Sequence, residues 1–363
     1  MPLPRPARRA RHGRLALGAS LSVAALAMSS ALPAQAATST GWRVVFRNDC
    51  PHGCVYLSVS APRQTSAFAV GNAGGSGGAG TGRPIAAQWR AGAWHFGKLP
   101  AGLNGTLIAV SADSPTDAWA VSALNGYVLH WNGTRWYVAK KFSELSTITQ
   151  QLTGVTAFGR ANVWVFGGPG ANPGLGTWHF NGRTWQHITS GAGAGVVAAS
   201  ATSPSNMWGV GSVTSPQDAV VHYYSGVWHV VRARALAGLQ FNAIDAFTAT
   251  NVWATATPQT NSTVGYLVHL VNGRWTRISI PWRDVVPARL AGDGHGGLWL
   301  VAQTFGTPQI WLLHRTSSGR WSRVSTGPDS FVFGIAQLPG TASLWASGQV
   351  RARASIWAYG RLG

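Results

Sequence analysis

Acidic residues are scarce in this chain. Of its 363 residues only 9 are Asp or Glu, and Glu144 is the only glutamate. Paired-carboxylate chemistry is therefore hard to assemble. Glycoside hydrolysis needs two carboxyl groups about 5–10 Å apart, whereas Asp117, Asp218, Asp284, Asp293, Asp329 and Glu144 are scattered along the sequence. There is no Asp-x-Asp-x-Asp calcium loop, no Ser-His-Asp nucleophile elbow and no phosphate loop. Charged residues total 10% against 45% apolar, which excludes a coiled coil, a collagen and wholesale disorder. After residue 36 no apolar run approaches the roughly 18 residues of a membrane helix. The chain is instead rich in tryptophan (19) and glycine (46), a mixture suited to short strands and tight turns.

Residues 1–36 read as a secretory signal peptide. Arg5, Arg8, Arg9, Arg11 and Arg14 form a basic start, 15–28 is apolar, and Ala34-Gln35-Ala36 is a small-x-small cleavage site. The short apolar run followed by Pro33 argues against an uncleaved anchor. Arg8-Arg9 leaves Sec and twin-arginine export both open. The expected protein is secreted, extracellular or cell-wall associated, and no cofactor is expected. The net charge of +19 falls to about +14 once the five leader arginines are removed, a surface property that permits attraction to anionic polymers. The two cysteines lie in Cys50-Pro51-His52-Gly53-Cys54. In an exported chain such a pair is expected to form a disulfide. A redox pair, or half a metal site with His52, are the alternatives.

The informative feature is periodic. Ser114-Pro115-Thr116-Asp117-Ala118-Trp119 is echoed by Gly159-Arg160-Ala161-Asn162-Val163-Trp164 and by Ser203-Pro204-Ser205-Asn206-Met207-Trp208. Weaker echoes end at Trp253, Trp299 and Trp345, and the spacings are 45, 44, 45, 46 and 46. Phe68 takes the same place one unit earlier, displaced by the Gly-rich insert 71–82. A second landmark follows each anchor: Asn132-Gly133 before Trp136, Asn181-Gly182 before Trp185, Ser225-Gly226 before Trp228, Asn272-Gly273 before Trp275 and Ser318-Gly319 before Trp321. Ala91-Gly92 before Trp94 fits too. Asn-Gly between apolar runs is a strong hairpin signal, because both residues accept positive φ. Each unit thus reads as four short strands in about 45 residues, a propeller blade. The last unit stops after three strands, and the missing strand matches 41–46 at the other end of the chain. The expected fold is all-β: one domain over 37–363, a seven-bladed propeller of four-stranded antiparallel blades, the last closed by the N-terminal strand.

These motifs resemble the repeats of bacterial secreted propellers grouped with the kelch, sialidase (Asp-box) and WD40-like families, and the arginine-rich leader with its Ala/Gly bias looks actinobacterial. The resemblance spans about 40–363 and implies architecture more than activity. The turns lack the Asp-box aspartate, and the kelch di-glycine occurs convincingly only at Gly167-Gly168.

His130, His179, His222 and His269 each precede a hairpin tryptophan by six residues, and His314 by seven. On third strands they stand over about 10 Å from their counterparts in neighbouring blades, too far to share a metal. They are expected to hydrogen-bond within their own blades, while the repeat tryptophans fill gaps between blades. The repeat turns share one end of each blade, leaving the variable loops at the other, where rigid scaffolds carry function. The candidate binding face comprises Lys140, Lys141, Trp282, Arg283, Arg351 and Arg353, with Trp282 as a sugar-stacking candidate. The expected role is non-catalytic recognition of a cell-wall or extracellular glycan, an anionic polymer, or a protein partner, by a monomer. A polysaccharide-active hydrolase or lyase with an unrecognised site is the alternative, and a purely structural envelope protein a third.

Overall fold

A computed structural model describes residues 41–74, 82–142, 151–167, 176–189, 192, 195–211, 219–261, 263–307 and 309–362. The leader with its cleavage site, Glu144 and Asp218 lie outside these. The described residues form seven four-stranded antiparallel sheets, a seven-bladed β-propeller. In chain order the blades are 54–97, 107–141, 152–188, 196–230, 239–279 and 285–325, followed by a seventh at 330–359. Each sheet is a simple meander whose first strand is innermost. The seventh is completed by the N-terminal strand Arg43–Asn48, paired antiparallel with Arg353–Tyr359. The closing strand therefore lies two residues beyond the expected 41–46. Trp42 stands just before it, packed edge-on against Trp299 at 5.4 Å and against Tyr359.

The turns follow local chemistry closely. At Ala91-Gly92, Ser225-Gly226 and Asn272-Gly273 both residues have positive φ, as a two-residue type I′ hairpin demands. Asn132 and Asn181 behave differently from that expectation. Only the following glycines, Gly133 (φ 95) and Gly182 (φ 90), are left-handed. The asparagine Oδ1 instead accepts the N–H groups of Thr134 and Arg135, or of Arg183 and Thr184. These are Asx-type caps of a longer turn. A side chain on Gly133 would strike Thr116 of the neighbouring turn.

The innermost strands share a feature with no signature in the sequence. All seven carry a β-bulge at one level, immediately before Ser58, Ala109, Gly154, Ala198, Ala243, Arg289 and Gly334. A bulge adds local twist and re-aims the residues that follow it. It also lets each inner strand lie close beside the next. Ser58 and Ser60 Oγ accept the N–H groups of Val110 and Ala112 in the second blade. Ser111 does the same for Ala157, and Ser200 for Ala246. An innermost strand has one edge with no sheet partner, and these hydroxyls satisfy N–H groups there that would otherwise depend on water.

Candidate functional site

The histidines are structural, as expected. His130 Nε2 meets Asp117 Oδ1 at 2.6 Å and its Nδ1 meets Tyr137 Oη at 2.6 Å. His179, His222 and His269 bond Asn162, Asn206 and Asn251 in the same way, at 2.9, 3.3 and 2.9 Å. Each is the direct cross-strand partner of its repeat tryptophan and stacks on it, with ring centroids 3.5–4.2 Å apart. Burial pushes the pKa values of His179, His222 and His269 down, the last to about 4 with help from Arg315. Blade 6 reaches the same arrangement differently. Its turn has no Asx two residues before Trp299, and Asp293 at the end of the first strand supplies the carboxylate to His314 at 2.8 Å. Asp293 also accepts the N–H groups of His295 and Gly297. Gln88 fills the histidine slot opposite Phe68 in blade 1, and Ala358 opposite Trp345 in blade 7.

The repeat tryptophans knit one blade to the next. Trp119 meets Trp185, Trp164 meets Trp228 and Trp208 meets Trp275, each between successive blades. Trp345 closes the circle on Trp94 of the first blade at 5.2 Å. Cys50, just after the closing strand, is disulfide-bonded to Cys54, the first residue of blade 1.

The topology places the six candidate binding residues at the variable-loop end, on three separate parts of the ring. Lys140 and Lys141 end the outer strand of blade 2, their ammonium groups over Phe142 and Tyr127. Trp282 and Arg283 lie in the link from blade 5 to blade 6. Trp282 is half-buried, edge-on to Trp321 at 6.1 Å and covered by the Arg323 guanidinium. Arg351 and Arg353 flank the last hairpin and are paired with Asp329 (3.9 Å) and Asp49 (3.0 Å). Both pairs are exposed, so each is worth little, but they offset part of the local positive charge.

Unpaired cations converge instead in two grooves on the rim. Between blades 4 and 5 a groove of about 830 Å³ is lined by Arg232, Arg234, Arg274 and Arg277, with Trp208 and Trp275 and, among the described residues, no acid. Arg277 is fixed in place. It donates to the carbonyls of Ala235 and Ala237 and lies over Tyr266. The exposed Arg232, Arg234 and Arg274 form no ion pair among the described residues. Between blades 1 and 2 a cleft of about 1170 Å³ is lined by Arg90, Lys98 and Arg135, with His95, Trp131 and Trp136 beside them and again no acid among the described residues. Sequence reading did not join Arg232 and Arg234 to Arg274 and Arg277. The signal was the repeat period itself. Positions about 45 residues apart sit side by side in adjacent blades.

No protein-family model matches the chain, and no curated protein matches it. Solved structures do. YCF48 bound to a D1 peptide is 16% identical, with a TM-score of 0.61 over 88% of this chain and 97% of that one. A catalytically inactive virginiamycin B lyase from Staphylococcus aureus, with quinupristin, is 10% identical, with a TM-score of 0.61 over 87% and 99%. The WD40 repeats of RRP9 are 11% identical, with a TM-score of 0.60 over 89% and 98%. The likeness is one of fold. These neighbours span a peptide complex, an enzyme and a WD40 protein.

Proposed function

We propose that this chain is an exported binding propeller that recognises an anionic polymer of the cell envelope through its rim. The observation that carries the reading is the groove between blades 4 and 5, where four arginines meet and, among the described residues, no carboxylate answers them. A guanidinium is a planar fork of donors suited to bidentate pairing with carboxylate or phosphate. The tryptophan floor adds an apolar surface for the uncharged part of such a polymer. The complexes of YCF48 with a peptide and the WD40 likeness of RRP9 keep an acidic protein segment as a competing ligand of the same chemistry. The reading of a polysaccharide-active enzyme draws on the likeness to the lyase and on no residue of this chain.

Retention on teichoic-acid and heparin matrices across a salt gradient tests the proposal. Summed Coulomb attraction is screened over about 8 Å at physiological ionic strength, so wild type should elute at moderate salt. Changing Arg232, Arg234 and Arg274 to Gln should lower the eluting salt clearly. Changing Lys140, Lys141, Arg351 and Arg353 to Ala should lower it less, since two of these cations already have partners. Equal elution of wild type and the groove variant would refute the groove as the binding site.

A further inference from the structure

The seven bulges bring one residue from each innermost strand to the same level, two residues along from the repeat anchor of the second strand. Six of those positions are small: Ser58, Ala109, Gly154, Ala198, Ala243 and Gly334. The seventh is Arg289, opposite Val301 in blade 6. The small residues have a steric reason. A Cβ on Gly334 would meet Ser347 Oγ at 2.5 Å and the backbone of Ser58 and Val59 at 3.1–3.2 Å. One on Gly154 would reach the carbonyl of Val197 in the next blade at 3.4 Å. Inner strands approach one another too closely here to bury a long side chain between them. The side chain of Arg289 has to leave that seam, and it is exposed to solvent although it belongs to the fifth residue of an eight-residue innermost strand. The space that such a strand borders is the central channel of the propeller.

The guanidinium is sparsely satisfied there. Among the described residues its one hydrogen bond goes from Nη1 to the carbonyl of the adjacent Ala288, at 2.9 Å. A guanidinium has five N–H donors, so most remain free, and no acidic side chain pairs with it among the described residues. Surrounding protein nonetheless desolvates it and pushes its pKa below the ordinary arginine value. A guanidinium with unfilled donors facing a solvent-filled channel is suited to bidentate pairing with an oxyanion.

We infer that Arg289 forms an anion site inside the central channel, taking one small oxyanion, a phosphate or a carboxylate, by bidentate pairing. The site stands apart from the rim grooves and does not depend on them. Its residue comes from one blade only, the other six carrying small residues at this level.

Arginine-selective ¹⁵N labelling of the full mature chain tests this directly. The Nε–H resonance of Arg289 is assigned by its loss in Arg289→Gln, a variant expected to fold because six blades already tolerate neutral residues at this level. Sodium phosphate and sodium acetate are titrated separately at constant ionic strength. The expected result is a saturable shift of the Arg289 signal, with at least one of the two anions binding at least tenfold more tightly there than at the exposed Arg232, Arg234 and Arg274. Calorimetry should lose that tighter component in Arg289→Gln and keep a weakened one in Arg289→Lys. The inference is overturned if the Arg289 signal moves no more than those of the surface arginines with either anion, or if Arg289→Gln binds both as wild type does.

Discussion

Replacing His130 with alanine should destabilise the propeller far more than the same change at His222, although both occupy the same slot of the repeat. His130 is 3% exposed. Its two ring nitrogens bond Asp117 and Tyr137, both at 2.6 Å, and the ring stacks on Trp119 at 4.1 Å. A hydrogen bond to a charged group contributes roughly 1.5–3 kcal/mol, and stranding a buried partner adds to the loss. Ring stacking contributes about 0.5–1.5 kcal/mol more. After the change Asp117 would stay buried with Trp119 Nε1–H as its remaining side-chain donor. The expected loss is about 3–5 kcal/mol. His222 bonds a neutral Asn206 at 3.3 Å, so its loss should be about 1–2 kcal/mol. In a domain of roughly 320 residues, 1 kcal/mol corresponds to about 1.5 °C of melting temperature. Calorimetry should therefore show a fall of about 5–7 °C for His130→Ala and about 2–3 °C for His222→Ala. His130→Gln should recover part of the loss, since blade 1 uses Gln88 in this slot. Equal shifts for the two alanine variants would refute the idea that the buried carboxylate, rather than the stacked ring, sets the value of the position.

Deleting residues 41–48 should lower the melting temperature sharply or give insoluble protein, because it bares the strand Arg353–Tyr359 as an exposed edge; an unchanged melting curve would refute closure by this strand. Burial raises the Asp245 carboxyl to about 6 from 3.8, opposed by bonds from Ser200 and Ala246. A raised acid holds more protons folded than unfolded between those values, so this group makes stability fall as pH climbs from about 4 to about 6. Asp245→Asn should accordingly gain about 1–2 kcal/mol at pH 7.5, after discounting for partial solvent access, and almost nothing at pH 3.5. A melting series from pH 3.5 to 8 that shows no gain at the alkaline end would refute that assignment. Cys50 and Cys54 should resist alkylation until reduced, with a mass gain of two hydrogens on reduction; free thiols in protein purified without reductant would reject the bond.

Blade number, strand count and ring closure were legible in the sequence because they are local and repeated. The Trp119-type anchors recur at 44 to 46 residues, and the glycine turns mark each return. The missing strand of the last unit could be matched to the other end of the chain by its Gly-Trp pattern alone. The histidine slot could be read as structural, since a third-strand position is too far from its neighbours to share an ion. Tertiary structure decided what the period could not encode. Asp293 replaces a missing turn residue because the end of blade 6's first strand lies within reach of His314, although the two are 21 residues apart. Arg351 and Arg353 look like free cations until Asp329 and Asp49 are brought beside them. The four arginines of the rim groove meet only because the link after blade 4 packs against the outer strand of blade 5. Above all, the bulge before Arg289 is a hydrogen-bonding register, set by how seven inner strands crowd one axis. No single strand carries that constraint, so it had no pattern in the chain to be read from.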